Sequence, residues 1–92
     1  MVEVLYFANI RDITEKISEN ISPQNNTVRD IVQQLIKIYP PLEEILWDQK
    51  NSSLKSGISI AINHKMIPKN EYESLKLLES DTIAFLTPVS GG

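Results

Sequence analysis

The chain contains no cysteine, which excludes a disulfide framework, a thiolate metal site and a cysteine nucleophile. It has one histidine, His64, with no Asp or Glu at ligand spacing around it, so a surface turn residue is a better reading than a metal ligand or general base. Long apolar runs are missing too. The clearest, 4–8 and 58–62, are strand-sized, far short of the roughly 20 residues a membrane-crossing helix needs. Basic charge is not in excess: nine Lys and Arg stand against twelve Asp and Glu, a net charge of −3. No basic block is present to neutralise a phosphate backbone, so neither nucleic acid nor a membrane is expected as a partner. Glu3, Arg11 and Asp12 come too early for a secretory leader, which gives an expected cytoplasmic location.

What is present reads as one small folded domain. At 92 residues, 41% hydrophobic and 23% charged, the composition is ordinary for a globular protein and the length suits a single core. Val2, Val4, Tyr6 and Ala8 alternate with Glu3, Leu5 and Phe7, the period of a strand. A turn is expected around Asn9–Asp12, followed by a second strand through Ile17, Glu19 and Ile21 that closes a hairpin. From Val28 the period changes. Val28, Ile31, Val32, Leu35 and Ile38 recur at three- and four-residue spacing behind the N-cap candidate Thr27, which stands three residues before Asp30 as in a capping box.

This main helix must stop near Tyr39, because Pro40 and Pro41 follow. Leu42, Ile45 and Leu46 predict a short second helix with Trp47 packed beside it, and 49–57 reads as a polar loop. Ile58, Ile60 and Ile62 mark the plainest strand, Asn63–Lys65 a turn, and Met66–Ile67 a short edge strand ended by Pro68. A turn at Glu79–Asp81 precedes the last strand, Thr82–Leu86. One amphipathic helix must pack on the one available sheet, which gives an α+β roll of two layers with four to five strands.

Two of the three glycines fall on the last two positions, an arrangement that composition alone gives on the order of one time in a thousand. A frayed terminus or a cloning remnant is the plain alternative. The functional reading is geometric: Pro88 favours extended backbone, and a Gly91-Gly92 end lacking Cβ atoms enters channels closed to other residues. Its carboxylate is a poor electrophile until another enzyme converts it to a mixed anhydride such as an acyl-adenylate. The expected organisation is a domain over 1–86 and a flexible tail over 87–92.

The segment Asp81-Thr82-Ile83-Ala84-Phe85-Leu86-Thr87-Pro88-Val89-Ser90-Gly91-Gly92 resembles the C-terminus of the small, sulfur-carrying subunit of molybdopterin synthase, a ubiquitin-like β-grasp family. Val4-Leu5-Tyr6-Phe7-Ala8-Asn9-Ile10-Arg11 is similar to that family's first strand and following loop, and Ala61-Ile62-Asn63 to its middle strand. The chain departs from the family's common pattern at Ser80-Asp81, where Gly-Asp is usual, and at Thr87-Pro88, where two prolines are frequent. The resemblance implies a ubiquitin-like β-grasp roll, with a mixed sheet on one main helix and a short second helix. It also implies a carrier that catalyses nothing alone and binds no cofactor or metal. A ubiquitin-activating-like adenylyltransferase would adenylate Gly92 with ATP, and a sulfur donor would turn the adenylate into a thiocarboxylate. The tail, Gly91 and Gly92 leading, would then enter the large subunit of molybdopterin synthase and give its sulfur to a pterin precursor. The alternatives are a ubiquitin-like modifier joined to lysines through Gly92 and a sulfur carrier of thiamine-thiazole synthesis.

Leu5, Phe7 and Leu86 share faces with Glu3 and Thr82 that should look away from the helix, and Met66 adjoins them. Phe7, Met66 and Leu86 are therefore expected partner contacts at the root of the tail, with Pro88, Val89 and Ser90 continuing the contact. The acid pairs Glu43-Glu44 and Glu71 with Glu73 read as solvated surface. Lys50, Lys55, Lys65 and Lys69 are scattered over loops and available to an acidic partner.

Overall fold

The computed structural model describes residues 1–22 and 24–87. In chain order the elements are β1 (Val2–Leu5), α1 (Ala8–Thr14), β2 (Ser18–Ile21), α2 (Val28–Ile38), α3 (Leu42–Leu46), β3 (Trp47–Asp48), β4 (Ser53–Leu54), β5 (Ser59–Ile62), β6 (Lys65–Met66), a 3₁₀ turn (Lys69–Glu71) and β7 (Thr82–Leu86). Five strands form a mixed sheet in the order β2-β1-β7-β5-β6, and β3 and β4 make a separate two-stranded ribbon. The central pair, β1 and β7, runs parallel, with Val4 opposite Ile83. Parallel neighbours require a crossover connection, and the long segment between them, α2 included, supplies it.

α2 forms for the reasons its sequence gives. Val28, Ile31, Val32 and Leu35 are all buried on one stripe, and the Thr27 hydroxyl accepts the Asp30 N–H at 3.1 Å, satisfying one orphan donor of the first turn. The Asp30 carboxylate does not complete a capping box. It instead accepts the Gln24 and Asn25 N–H groups and so fixes the loop entering the helix. The stripe meets Val2, Val4, Tyr6, Ile60, Ile83 and Phe85 from the sheet, and Leu42 and Leu46 of α3 close one end of the core. The expected α+β roll, one main helix and a short second helix on a five-stranded mixed sheet, is thus what the chain builds.

Four expectations need correction. The connection after β1 is not a turn around Asn9–Asp12 but the helix α1. Phe7 is extended, and Ala8 at φ 50° reverses the chain so that Ile10 and Thr14 turn into the core. Ala8 consequently belongs to that helix and not to the first strand. Ile38 lies at the end of the α2 stripe but is 49% exposed, because the stripe runs past the edge of the core there. The segment 49–57 is not loop throughout, since Ser53 and Leu54 pair with Asp48 and Trp47.

Candidate functional site

The sheet has a core face and an outer face, and register shows how the outer one is composed. Paired residues in a ladder point to the same side. Leu5 lies opposite Ala84, Ala84 opposite Ala61, and Ala61 opposite Met66, so one apolar row crosses four strands. The row before it is polar: Asn20, Glu3 and Thr82 stand side by side, with the Thr82 hydroxyl donating to Glu3 at 3.3 Å. Beyond the apolar row, Leu86 follows Ala84 on the same face, opposite Ser59, and Phe7 follows Leu5. The outer face therefore turns from polar to apolar toward the end from which the chain leaves β7.

Of the three expected contacts, Phe7 is 43% and Met66 59% exposed, whereas Leu86 is half-buried. Phe7 is held out because its backbone is the extended N-cap of α1. Met66 is out because β6 is the sheet's edge. Leu5 in the same row is half-buried, and the small Ala61 and Ala84 at its middle are buried, at 8% and 6% exposure. The alternation of Ile60 with Ala61 and of Ile83 with Ala84 was the available signal for those two alanines, which residue type alone hides. Pro88, Val89, Ser90, Gly91 and Gly92 lie outside the described residues.

The root of β7 is anchored by a polar lock. Asp81 is buried, and its carboxylate accepts the Leu78 N–H at 2.8 Å and the Asn63 side-chain amide at 2.9 Å. Asn63 in turn accepts the Thr82 N–H at 3.0 Å. The two-residue connection Asn63-His64 between β5 and β6 has φ of 51° and 70°, the left-handed pair that matches strand twist in tight hairpins. His64 is thus an exposed turn residue, and among the described residues no group of three or more His, Asp or Glu side chains could hold a metal. Glu44, Glu71 and Glu73 are exposed, while Glu43 is half-buried and takes a hydrogen bond from Gln49.

Apart from Asp48, whose carboxyl is held below its ordinary range chiefly by the Asn51 side-chain amide, the titratable groups with displaced pKa values gather on the opposite sheet edge. Glu19 of β2 accepts from the Tyr6 hydroxyl at 2.9 Å, the Tyr39 hydroxyl at 2.8 Å and the Lys16 ammonium at 2.9 Å. Burial pushes the Glu19 carboxyl up, but the bonds from Lys16, Tyr39 and Tyr6 outweigh it and hold the group below its ordinary range. Tyr6 is raised by burial first and then by the Glu19 carboxylate, and Tyr39 by the same two causes. Lys16 is raised chiefly by its bond to Glu19. Through these bonds to Glu19 the cluster ties β1, β2 and the end of α2 together.

An outer face that becomes apolar at the exit of β7, with a polar lock beneath, suits presentation of whatever follows Thr87. The model of the ThiS family matches residues 4–92. The chain belongs to the ThiS family. Solved structures agree on the fold. Small archaeal modifier protein 1 of Methanosarcina acetivorans is 30% identical, with 99% of this chain and 95% of that one covered at a TM-score of 0.80. The crystal structure of SAMP1 from Haloferax volcanii is 22% identical, with 99% and 98% covered at a TM-score of 0.81. A putative molybdopterin converting factor subunit 1 from Pyrococcus furiosus is 23% identical, with 96% and 97% covered at 0.71. This ThiS-family chain therefore has the ubiquitin-like β-grasp fold shared by sulfur carriers and protein modifiers. Among its described residues no helix is long and apolar enough to cross a membrane.

Proposed function

We propose that the protein is a sulfur carrier for molybdopterin synthesis whose reactive group is the carboxylate of Gly92. The observation that carries the reading is the Gly91-Gly92 pair, following β7 at the apolar end of the outer face. The Gly92 carboxylate attacks the α-phosphorus of ATP on a ubiquitin-activating-like adenylyltransferase, releasing pyrophosphate and forming an acyl-adenylate. A sulfur nucleophile at the sulfide level then adds to the acyl carbon and expels AMP, which leaves a thiocarboxylate. Phe7, Met66 and Leu86 seat the partner, and Pro88, Val89 and Ser90 line the path into its channel. In the large subunit of molybdopterin synthase the terminal sulfur passes to the pterin precursor and water restores the carboxylate. Two such deliveries complete a dithiolene. The carrier itself uses no bound cofactor, and its chemistry suits the cytoplasm, where ATP is available.

The test is reconstitution. Thiocarboxylated protein, the large subunit and the cyclic pterin precursor are expected to yield the dithiolene product at two carriers per pterin, and no product from a Gly91-Gly92 deletion. Absence of product with fully thiocarboxylated protein contradicts the molybdopterin assignment, and formation of thiazole with a thiazole synthase would replace it. A second reading, a modifier joined to target lysines through Gly92, is favoured by the 30% identity to the Methanosarcina acetivorans small archaeal modifier protein. Isopeptide-linked Gly92 in place of a thiocarboxylate would make that reading primary.

A further inference from the structure

A cavity of about 510 Å³ lies between the first turn of α2, the β3–β4 ribbon and the segment after Pro68. It shares no residue with the outer sheet face described above. Its volume falls within the roughly 300–1,000 Å³ typical of small-molecule sites. Val28, Leu54 and Ile58 give it an apolar lining, to which half-buried Tyr72 and the 9% of Trp47 that stays exposed add aromatic surface.

The charge around it is one-sided. Arg29, Lys55 and Lys69 line the cavity against a single acid, Glu73, in a chain whose net charge is −3. Arg29 packs its guanidinium 5.4 Å from the Trp47 ring centroid and donates to the Ser52 carbonyl at 2.7 Å. Its approach to Glu73, at 3.7 Å and well exposed, is too loose to neutralise it. Lys55 donates to the Glu44 carbonyl and Lys69 to the Ser56 carbonyl. Among the described residues neither ammonium forms an ion pair. Asp48 borders Lys55 on its other side and feels its charge without an ion pair; its carboxylate accepts the Lys50 backbone N–H and the Asn51 side-chain amide in its own turn. Each ammonium has three donors, so both lysines keep spare N–H groups.

The site is also held in shape. The Tyr72 hydroxyl accepts the Ile60 N–H at 3.0 Å, which fixes the ring on the sheet, and Arg29 is fixed between Ser52 and Trp47. An apolar cleft with two rigid aromatic rings and three undercompensated cations matches a ligand of complementary build. We propose that this cavity binds a small organic anion with a planar apolar body, its ring against Trp47 and Tyr72 and its anionic group on Lys55, Lys69 and Arg29. The inference stands apart from the chemistry of the tail.

Trp47 is the only tryptophan in the chain, so its indole N–H gives a single, site-specific signal in a ¹H–¹⁵N spectrum. Two anionic probes, adenosine monophosphate and 2-naphthoate, distinguish a nucleotide from an aromatic carboxylate. Adenosine, 2-naphthamide and inorganic phosphate are the matched controls. Saturable shifts of the Trp47 indole and the Ile58 amide are expected with one anionic probe, binding at least about tenfold tighter than its neutral counterpart. Lys55→Gln and Lys69→Gln should each weaken that binding about tenfold, while Lys37→Gln, in the last turn of α2, leaves it unchanged. Equal binding of neutral and anionic probes, insensitivity to both lysine variants, or no saturable shift below about 1 mM would each overturn the proposal.

Discussion

Asp81 illustrates how one side chain sets the position of a strand. Its two carboxylate oxygens hold the Leu78 backbone and the Asn63 amide, and Asn63 holds the first residue of β7. Asp81→Ala removes the buried acceptor of two part-buried hydrogen bonds, from the Leu78 N–H and the Asn63 side-chain amide, at a cost of about 1 kcal/mol, readable in the urea midpoint. An unchanged midpoint would show that the lock is ornamental. Glu19 makes a pH-dependent contribution of known sign. Its folded-state pKa lies below the ordinary 4.5, so its stabilisation is complete above that value and is lost as pH falls through the lowered folded pKa. Wild type should therefore exceed Glu19→Gln in stability near neutral pH, with the difference shrinking as pH falls below 4.5. A difference that is constant with pH would contradict this account of the Tyr6–Glu19–Tyr39–Lys16 cluster.

At the scale of elements, the proposed partner surface and the core lie on opposite faces of the sheet. The core face of the sheet carries Ile60, Ile83 and Phe85; the outer face carries the Leu5–Ala84–Ala61–Met66 row with Phe7 and Leu86 beside it. Phe7→Lys and Met66→Lys change exposed positions, so stability should move by no more than about 0.5 kcal/mol. The rate of tail adenylation by the activating enzyme should nonetheless fall about tenfold or more if these residues anchor the partner. Unaltered rates in both variants would remove the face from the site. Most of this was legible from periodicity: β5, β7, α2 and α3 lie where the apolar spacing puts them. α1 was missed because Ile, Thr, Asn and Asp are weak helix formers and the residues ahead of it alternate like a strand. Ile10, Ile13 and Thr14, at three- and four-residue spacing, were the signal that could have revealed it. The cavity beside Trp47 was not legible at all, since its lining comes from four separated segments that only the fold brings together.

For the molecule as a whole, the parallel pair β1 and β7 at the centre of the sheet fixes where the chain leaves the domain. Parallel pairing sends the end of β7 out beside Phe7, and antiparallel pairing with β5 sets Leu86 against Ser59. The apolar end of the outer face and the exit of the chain from β7 are thus products of one topology. Everything chemical is then assigned to Gly92, and the most direct test looks there. The C-terminal peptide of protein isolated from its own host should be analysed by mass spectrometry before and after reaction with ATP, the activating enzyme and a sulfur source. Isolating the peptide keeps oxidation of Met1 or Met66 from imitating the exchange. A sulfur-for-oxygen gain located on Gly92 is the predicted result; a carboxylate that stays unmodified under every condition would contradict the carrier account.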